Sequence, residues 1–320
     1  MSILEGQDGT PRRGKALLII PYFGSFGPWF PLYLHSLGTQ QTLDLLLLSD
    51  VRPPGLPANA RHVPMTFDQL RELATARLAT PVRLHRMRNI CDLRPAYGLI
   101  FEEFTRGYEY WGFGDEDVLY GNLDRMLAPH LDSGADLIVP GNTGKSGHLT
   151  LVRNAALTNQ LAMRDPAYRD VLVSLEHWAY DETSWRCGSE ISSFHKIVSE
   201  AEARGELSTR RGLPRVVNVP ALGRWYVYDG RSLHEDNGNE LLYYHWGRMR
   251  HRRVQWPGQA EARTGFAFDR YGFYDPRLQG AELMLRRAAG RVREVAGDAR
   301  RRLSDWRAAM RAPATSPVNR

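Results

Sequence analysis

Cysteine is scarce in this chain: Cys91 and Cys187 are the only 2 in 320 residues, too few for a disulfide framework or a multi-cysteine metal cluster. A reducing cytoplasm is the expected compartment. Lysine is nearly as rare, occurring at Lys15, Lys145 and Lys196, so almost all of the 42 basic residues are arginine. Such one-sided usage reads as coding bias rather than phosphate recognition. Long apolar runs are missing too, and nothing approaches the roughly 18 to 20 unbroken apolar residues of a membrane span. Residues Met1 to Asp8 lack the basic segment and apolar stretch of a signal peptide, so secretion is not expected. Internal repeats are absent. With 42% hydrophobic and 24% charged residues, the chain has the balance of a globular protein with a real core.

The net charge of +6 is unevenly placed. Eleven arginines against Glu282, Glu294, Asp298 and Asp305 lie between Arg277 and Arg320, which leaves residues 1–276 nearly neutral. The expected organisation is therefore a body over 1–276 and an arginine-rich tail over 277–320. From Gly280 to about Arg311 the tail reads as a helix, weakened by Gly290 and Gly297 and stopped by Pro313. Such a helix packs on the body with a solvated outer face, or makes a peripheral contact with anionic lipid at the inner face of the membrane. It lacks the aromatic interleaving of a nucleic-acid binder, so no nucleic-acid partner is expected.

In the body, Ala16–Ile20 is a continuous apolar run and Leu43–Leu48 is apolar but for Asp44, the mark of strands buried on both faces. With a short helix over 31–37 between them they form a βαβ unit, and its crossover is expected to be right-handed. Thr66 with Gln69 forms a capping box and predicts a helix over 67–78. Further helices are expected over 94–104 and 155–176, the latter broken at Pro166. Further strands are expected over 108–114, 135–139, 149–153, 216–219 and 241–246. The fold class is α/β, a Rossmann-like mixed sheet flanked by helices.

Gly114-Asp115-Glu116-Asp117 carries the strongest chemical signal. Carboxylates at i and i+2, in a turn just past a buried strand, can both reach one hard divalent cation, Mn²⁺ or Mg²⁺, and ligands collect at strand carboxyl ends in such sheets. Trp178-Ala179-Tyr180-Asp181-Glu182-Thr183-Ser184-Trp185 sets two acids among aromatics, suited to gripping a sugar ring, with Trp178 and Trp185 as acceptor contacts. If the chemistry here needs a general base, Asp181 or Glu182 is the first candidate and Glu190 the second. If it needs none, these acids would only position what binds. Arg248, with Arg250, His251, Arg252 and Arg253, is either a diphosphate clamp or a solvated basic loop.

Taken in order, the strand at 16–20, the strand ending at Asp50, Cys91-Asp92-Leu93-Arg94-Pro95-Ala96-Tyr97-Gly98, Asp115-x-Asp117, Gly147-His148-Leu149-Thr150-Leu151-Val152-Arg153-Asn154 and Tyr243-Tyr244-His245-Trp246 resemble the metal-dependent glycosyltransferases of GT-A fold. The likeness extends to a bacterial set associated with polysaccharide or glycoconjugate assembly and spans about residues 15–255. It implies that Asp115 and Asp117 hold an ion bridging the phosphates of a nucleotide-sugar, with His245 completing the metal shell. It implies further that Asp92 and Arg94 hold the donor sugar or phosphate, although their spacing is one residue shorter than the related Asp-x-x-Arg pair. Asp50 would face the base, Tyr22 and Phe23 would wall the uracil or ribose, and His148 would touch acceptor or donor sugar.

The expected function is transfer of a hexose from a nucleotide diphosphate sugar, a UDP-sugar first, to a saccharide or glycoconjugate hydroxyl. Two alternatives stand beside it. A haloacid-dehalogenase-like phosphatase would use Asp-x-Asp as nucleophile and acid, but that motif follows a first strand, whereas here two βα units precede it and only Lys145 and Lys196 could serve as its lysine. A membrane-surface adaptor acting through the tail is the non-enzymatic alternative.

Overall fold

The computed structural model describes residues 15–140, 147–182, 193–212, 216–217, 224–247, 249 and 254–277, together with positions 282, 284, 285, 288, 289, 292 and 296, which are helical. Trp185, Glu190 and Arg248 lie outside the described residues. In chain order the strands are β1 (Ala16–Pro21), β2 (Leu43–Ser49), β3 (Ala60–Pro64), β4 (Tyr110–Gly114), β5 (Val118–Tyr120), β6 (Leu137–Ile138), β7 (Leu149–Arg153) and β8 (Thr209–Arg210). They continue as β9 (Val216–Val217), β10 (Trp225–Tyr228), β11 (Leu233–Glu235), β12 (Glu240–Leu241), β13 (Tyr243–His245), β14 (Phe266–Asp269) and β15 (Gly272–Tyr274).

Seven strands form a mixed sheet in the order β3-β2-β1-β4-β7-β6-β8. β1 is parallel to β2 and β4, β2 to β3 and β6 to β8, whereas β7 pairs antiparallel with both β4 and β6. β1, and β2 apart from Asp44 and Ser49, are apolar because both faces are covered. Leu17, Ile19, Leu46, Leu48, Trp111 and Phe113 turn to one core, which takes in Leu70 and Ala74 of the helix Phe67–Leu78. Ala16, Leu18, Ile20, Leu45, Leu47 and Tyr110 turn to the other, closed by the helices Phe30–Gly38 and Leu123–Leu131. Each such Leu or Ile contributes about 1.5–3 kcal/mol by leaving water. The α/β class and the helix-flanked mixed sheet are thus as the sequence predicts.

Local chemistry sets the element ends. Thr66 Oγ1 accepts from the Gln69 amide at 3.2 Å and Gln69 Oε1 from the Thr66 amide at 2.8 Å, closing the box that starts the helix Phe67–Leu78. Elsewhere the pattern is finer than predicted. Residues 94–104 form no single helix: Pro95 sits in a 3-10 turn at Arg94–Ala96, and helical turns follow at Tyr97–Ile100 and Glu102–Thr105, interrupted at Phe101. Asp165 ends one segment and caps the next, accepting from the Ala167 amide at 3.0 Å ahead of the helix Pro166–Val173. The strand expected over 135–139 is only Leu137–Ile138. The run 241–246 is split between two sheets, with β12 in a five-stranded sheet ordered β12-β11-β10-β14-β15 and β13 in a three-stranded one ordered β5-β13-β9. An aromatic core of Tyr226, Tyr228, Tyr244, Trp246, Phe266 and Phe268 lies on the five-stranded sheet.

Candidate active site

The parallel strands of the large sheet end where the acids begin. β4 runs out at Gly114, which sits opposite Leu149 of the antiparallel β7, and the Asp115 amide donates to the His148 carbonyl at 3.3 Å. His148 thus arrives beside Asp115 by strand register. The chain turns through 115–117 and re-enters as β5, whose Val118 is paired with His245 of β13. The Trp246 amide then donates to the Asp117 carbonyl at 2.8 Å. One short turn therefore has its first acid fixed by the large sheet and its second by the small one.

The side chains converge accordingly. His245 Nε2 is 3.1 Å from Asp117 Oδ1 and 4.0 Å from Asp115 Oδ2, and His148 Nε2 is 3.9 Å from the same Asp115 oxygen. One ligand atom each of Asp115, His148 and His245 lies within 4.8 Å of the others. The two imidazoles face each other with centroids 4.0 Å apart and planes inclined by 30°. Asp117 is 1% exposed, while Asp115 keeps 24% of its side chain open to solvent. Asp115, His148 and His245 together can hold a divalent cation, with Asp117 beside His245.

Arg94 binds this corner to a second acid. Its Nη2 donates to Asp115 Oδ1 at 2.6 Å and to the Gly114 carbonyl at 3.0 Å, while Nη1 donates to Asp181 Oδ2 at 2.8 Å and to the Gly147 carbonyl at 3.1 Å. A Cβ on Gly147 would stand 2.6 Å from Glu182 Oε1 and 3.2 Å from Arg94 Nη1, so a larger residue there would displace the Glu182 carboxylate. The Gly147 amide in turn donates to Glu182 Oε1 at 3.0 Å. Burial drives the Asp115 carboxyl upward, but Arg94, then His148 and His245, outweigh it and hold the group below the usual carboxylate range. Asp181 goes the other way: burial pushes it up to about 7 against the pull of Arg94. His148 is held below the ordinary imidazole value, chiefly by burial, against the pull of Asp115.

Asp92 is placed differently from the sequence expectation. It is 4% exposed, and its oxygens accept from the amides of Tyr180 at 2.9 Å and Trp178 at 3.0 Å, with His177 Nδ1 at 3.3 Å. It holds the segment that carries Asp181 rather than pointing at a donor. Tyr180 reinforces the hold by stacking on Tyr168 at 4.5 Å and donating to Asp165 Oδ2 at 2.8 Å. Trp178 packs against the main core, as does Phe23, which meets Phe67 edge-on at 5.6 Å. Trp178, expected at the acceptor, is partly buried, and Phe23, expected to wall the nucleotide, is buried.

Tyr22 is half-buried, stacks on Phe26 at 5.0 Å and donates to the Ser25 carbonyl at 3.0 Å. Asp50 is exposed past the end of β2 and accepts from the Gly24 amide at 2.9 Å, pinning the loop that leaves β1. Both stand at the carboxyl edge of the sheet. His148, expected at a sugar, is placed with the metal-type acids instead. Two residues of the sequence motifs that received no role there belong to the site: Gly147, and Tyr243, whose hydroxyl is 3.5 Å from His148 Nδ1. Tyr243 carried a signal, being two residues before His245 on a strand and so on the same face.

The profile of a family described as one of unknown function, DUF6625, matches residues 18–259. No curated protein matches the chain. Among solved structures, a candidate nucleotide-diphospho-sugar transferase from Desulfovibrio desulfuricans G20 is similar at 9% identity and a TM-score of 0.30, over 62% of this chain and 79% of its own. The apo-form glycosyltransferase GlyE of Streptococcus pneumoniae TIGR4 is similar at 10% identity and a TM-score of 0.28, over 62% of this chain and 45% of its own. Likenesses this distant decide nothing about activity.

Proposed function

The chain belongs to the DUF6625 family, and we propose that it is a metal-dependent glycosyltransferase. In this proposal it moves a hexose from a nucleotide diphosphate sugar, a UDP-sugar first, to a hydroxyl of a saccharide or glycoconjugate. One observation carries it: Asp115, Asp117 and His245 meet at the carboxyl edge of a mostly parallel sheet, His245 Nε2 lying 3.1 Å from Asp117 Oδ1 and 4.0 Å from Asp115 Oδ2. Two donors each about 2.1 Å from one ion can be at most about 4.2 Å apart, so these separations suit a shared Mn²⁺ or Mg²⁺. A bound ion there supplies positive charge to a departing diphosphate.

The chain's own residues do the rest. Asp50 and the loop it pins at Gly24 shape the mouth beyond β1 and β2, where a nucleotide fits such sheets. Tyr22 borders that mouth. Arg94 fixes the directions of Asp115 and Asp181 together, and Asp92 holds the segment that bears Asp181. With its proton affinity near neutrality, Asp181 is the candidate base of an inverting reaction, and Glu182, tied to the Gly147 amide, positions the acceptor. A phosphatase is disfavoured by the same geometry. Asp115 Oδ1 is engaged by Arg94, and Lys196 is a surface residue 3.9 Å from Glu200.

Calorimetric titration of UDP in the presence of Mn²⁺ tests the proposal. Wild type should bind and Asp117→Ala should not, with the circular dichroism of the variant unchanged. Undiminished binding by Asp117→Ala, or no nucleotide binding by wild type at any Mn²⁺ concentration, overturns it.

A further inference from the structure

His148 stands as near to Asp115 Oδ2 as His245 does, 3.9 Å against 4.0 Å, although only His245 belongs to the expected metal shell. We infer that His148 is a fourth metal ligand, and that the resulting set of two carboxylates and two imidazoles takes a first-row transition ion by itself, before any nucleotide arrives and in preference to Mg²⁺. The inference rests on the metal reading of Asp115, Asp117 and His245 and deepens it.

Four observations support it. Both Asp115–imidazole separations fall under the limit of about 4.2 Å for donors sharing one ion, and the 3.1 Å between His245 and Asp117 is close to the spacing of adjacent ligands. The Asp115 carboxylate is divided by direction, since Oδ1 accepts from Arg94 while Oδ2 is the oxygen nearest both imidazoles. The Tyr243 hydroxyl lies on the Nδ1 side of His148, so Nε2 is the nitrogen presented to Asp115, in the manner of the outer partners that orient metal-binding histidines. Finally, Asp115, Asp117, Asp181 and Glu182 bring more negative charge to this corner than Arg94 offsets among the described residues.

Selectivity follows from the donors. Mg²⁺ favours oxygen ligands in a near-ideal octahedron and retains its waters, whereas imidazole nitrogen suits first-row transition ions. An acid pair alone depends on the diphosphate to complete the shell. Four protein donors remove that dependence.

The test uses the full chain and the metal alone. Mn²⁺ added to wild type without nucleotide should bind in calorimetry, and pulsed electron paramagnetic resonance should count two directly bound imidazole nitrogens. Mg²⁺ should bind at least about tenfold more weakly than Mn²⁺. His148→Ala and His148→Gln should each lose one nitrogen coupling and weaken Mn²⁺ binding by about tenfold or more. A single nitrogen in wild type, Mn²⁺ binding that requires UDP, or equal affinity for Mg²⁺ overturns the inference. Because the wild-type spectrum is itself decisive, a variant that fails to fold does not blunt the test. Should UDP–Mn²⁺ still bind while His148 proves a bystander, the transferase proposal stands and this inference alone falls.

Discussion

Arg94 and Asp115 form an ion pair of 2.6 Å across the end of β4, and the pair aims the other Asp115 oxygen at the two imidazoles. The same guanidinium reaches Asp181 at 2.8 Å, so one side chain orients two acids from separate parts of the chain.

Replacing it should therefore be costly. With side-chain exposures of 11% for Arg94 and 3% for Asp181, Arg94→Met strands a buried acid and should lower the unfolding free energy by about 3–5 kcal/mol. Adding Asp181→Asn should restore part of the loss. Urea denaturation of the single and double variants measures both, and an additive double variant would deny that Arg94 and Asp181 act as a pair.

The raised proton affinity of Asp181 gives a pH signature. Its folded value of about 7 is above that of an unfolded aspartate, near 4, so the native state holds the proton more tightly. The contribution to stability is complete below about pH 4 and is lost as pH rises through about 7. Asp181→Asn removes that dependence. Relative to wild type, the variant should gain stability steadily from pH 4 to 7.5, as read by denaturation at a series of pH values. A difference that stays flat across this window would mean the carboxyl titrates normally.

Asp92→Ala should loosen the segment ahead of Asp181. The amides of Trp178 and Tyr180 lose their acceptor, at about 1–3 kcal/mol each when left buried and unsatisfied. Hydrogen exchange at these two amides should accelerate well beyond that of the β1 amides. Equal acceleration everywhere would indicate general destabilisation instead of a local hold.

Gly147→Ala tests the crowding around Arg94. Its new methyl would meet Glu182 Oε1 and Arg94 Nη1, so the melting temperature should fall and Mn²⁺-dependent nucleotide binding should weaken together. Wild-type behaviour in both would show that the corner has room to spare.

The tail gives a separable prediction. Met284, Leu285 and Val292 occupy helical positions and are 72%, 70% and 68% exposed, beside an excess of arginine. Full-length protein should sediment with anionic vesicles at low salt, and a chain ending at residue 279 should stay in solution yet still bind UDP with Mn²⁺. Vesicle binding that survives truncation removes the tail from that role.

Much of this frame was legible in the sequence because its signals are local. β1 announces itself as an unbroken apolar run and β2 as a leucine run broken only by Asp44, Thr66 and Gln69 start a helix within one turn, and Asp115 and Asp117 follow an apolar strand at close spacing. What escaped depends on pairing over long separations. His148 joins Asp115 only because β7 lies antiparallel to β4 in one particular register. Asp92 and Arg94 look like partners in the sequence, but residues two apart in a helical turn do not share a face, and the two side chains go to different tasks. The five-stranded sheet was missed because its strands are two to four residues long, too short for a periodic signal to emerge.

The turn from Asp115 to Asp117 is a seam, because the backbone of its first acid is held by β7 and that of its second by β13. Whatever spans the two carboxylates also rivets two hydrogen-bonded ladders together. Filling this corner would thereby couple to cohesion between early and late parts of the polypeptide, and the late strand bearing His245 would gain rigidity from the rim of a sheet to which it does not belong.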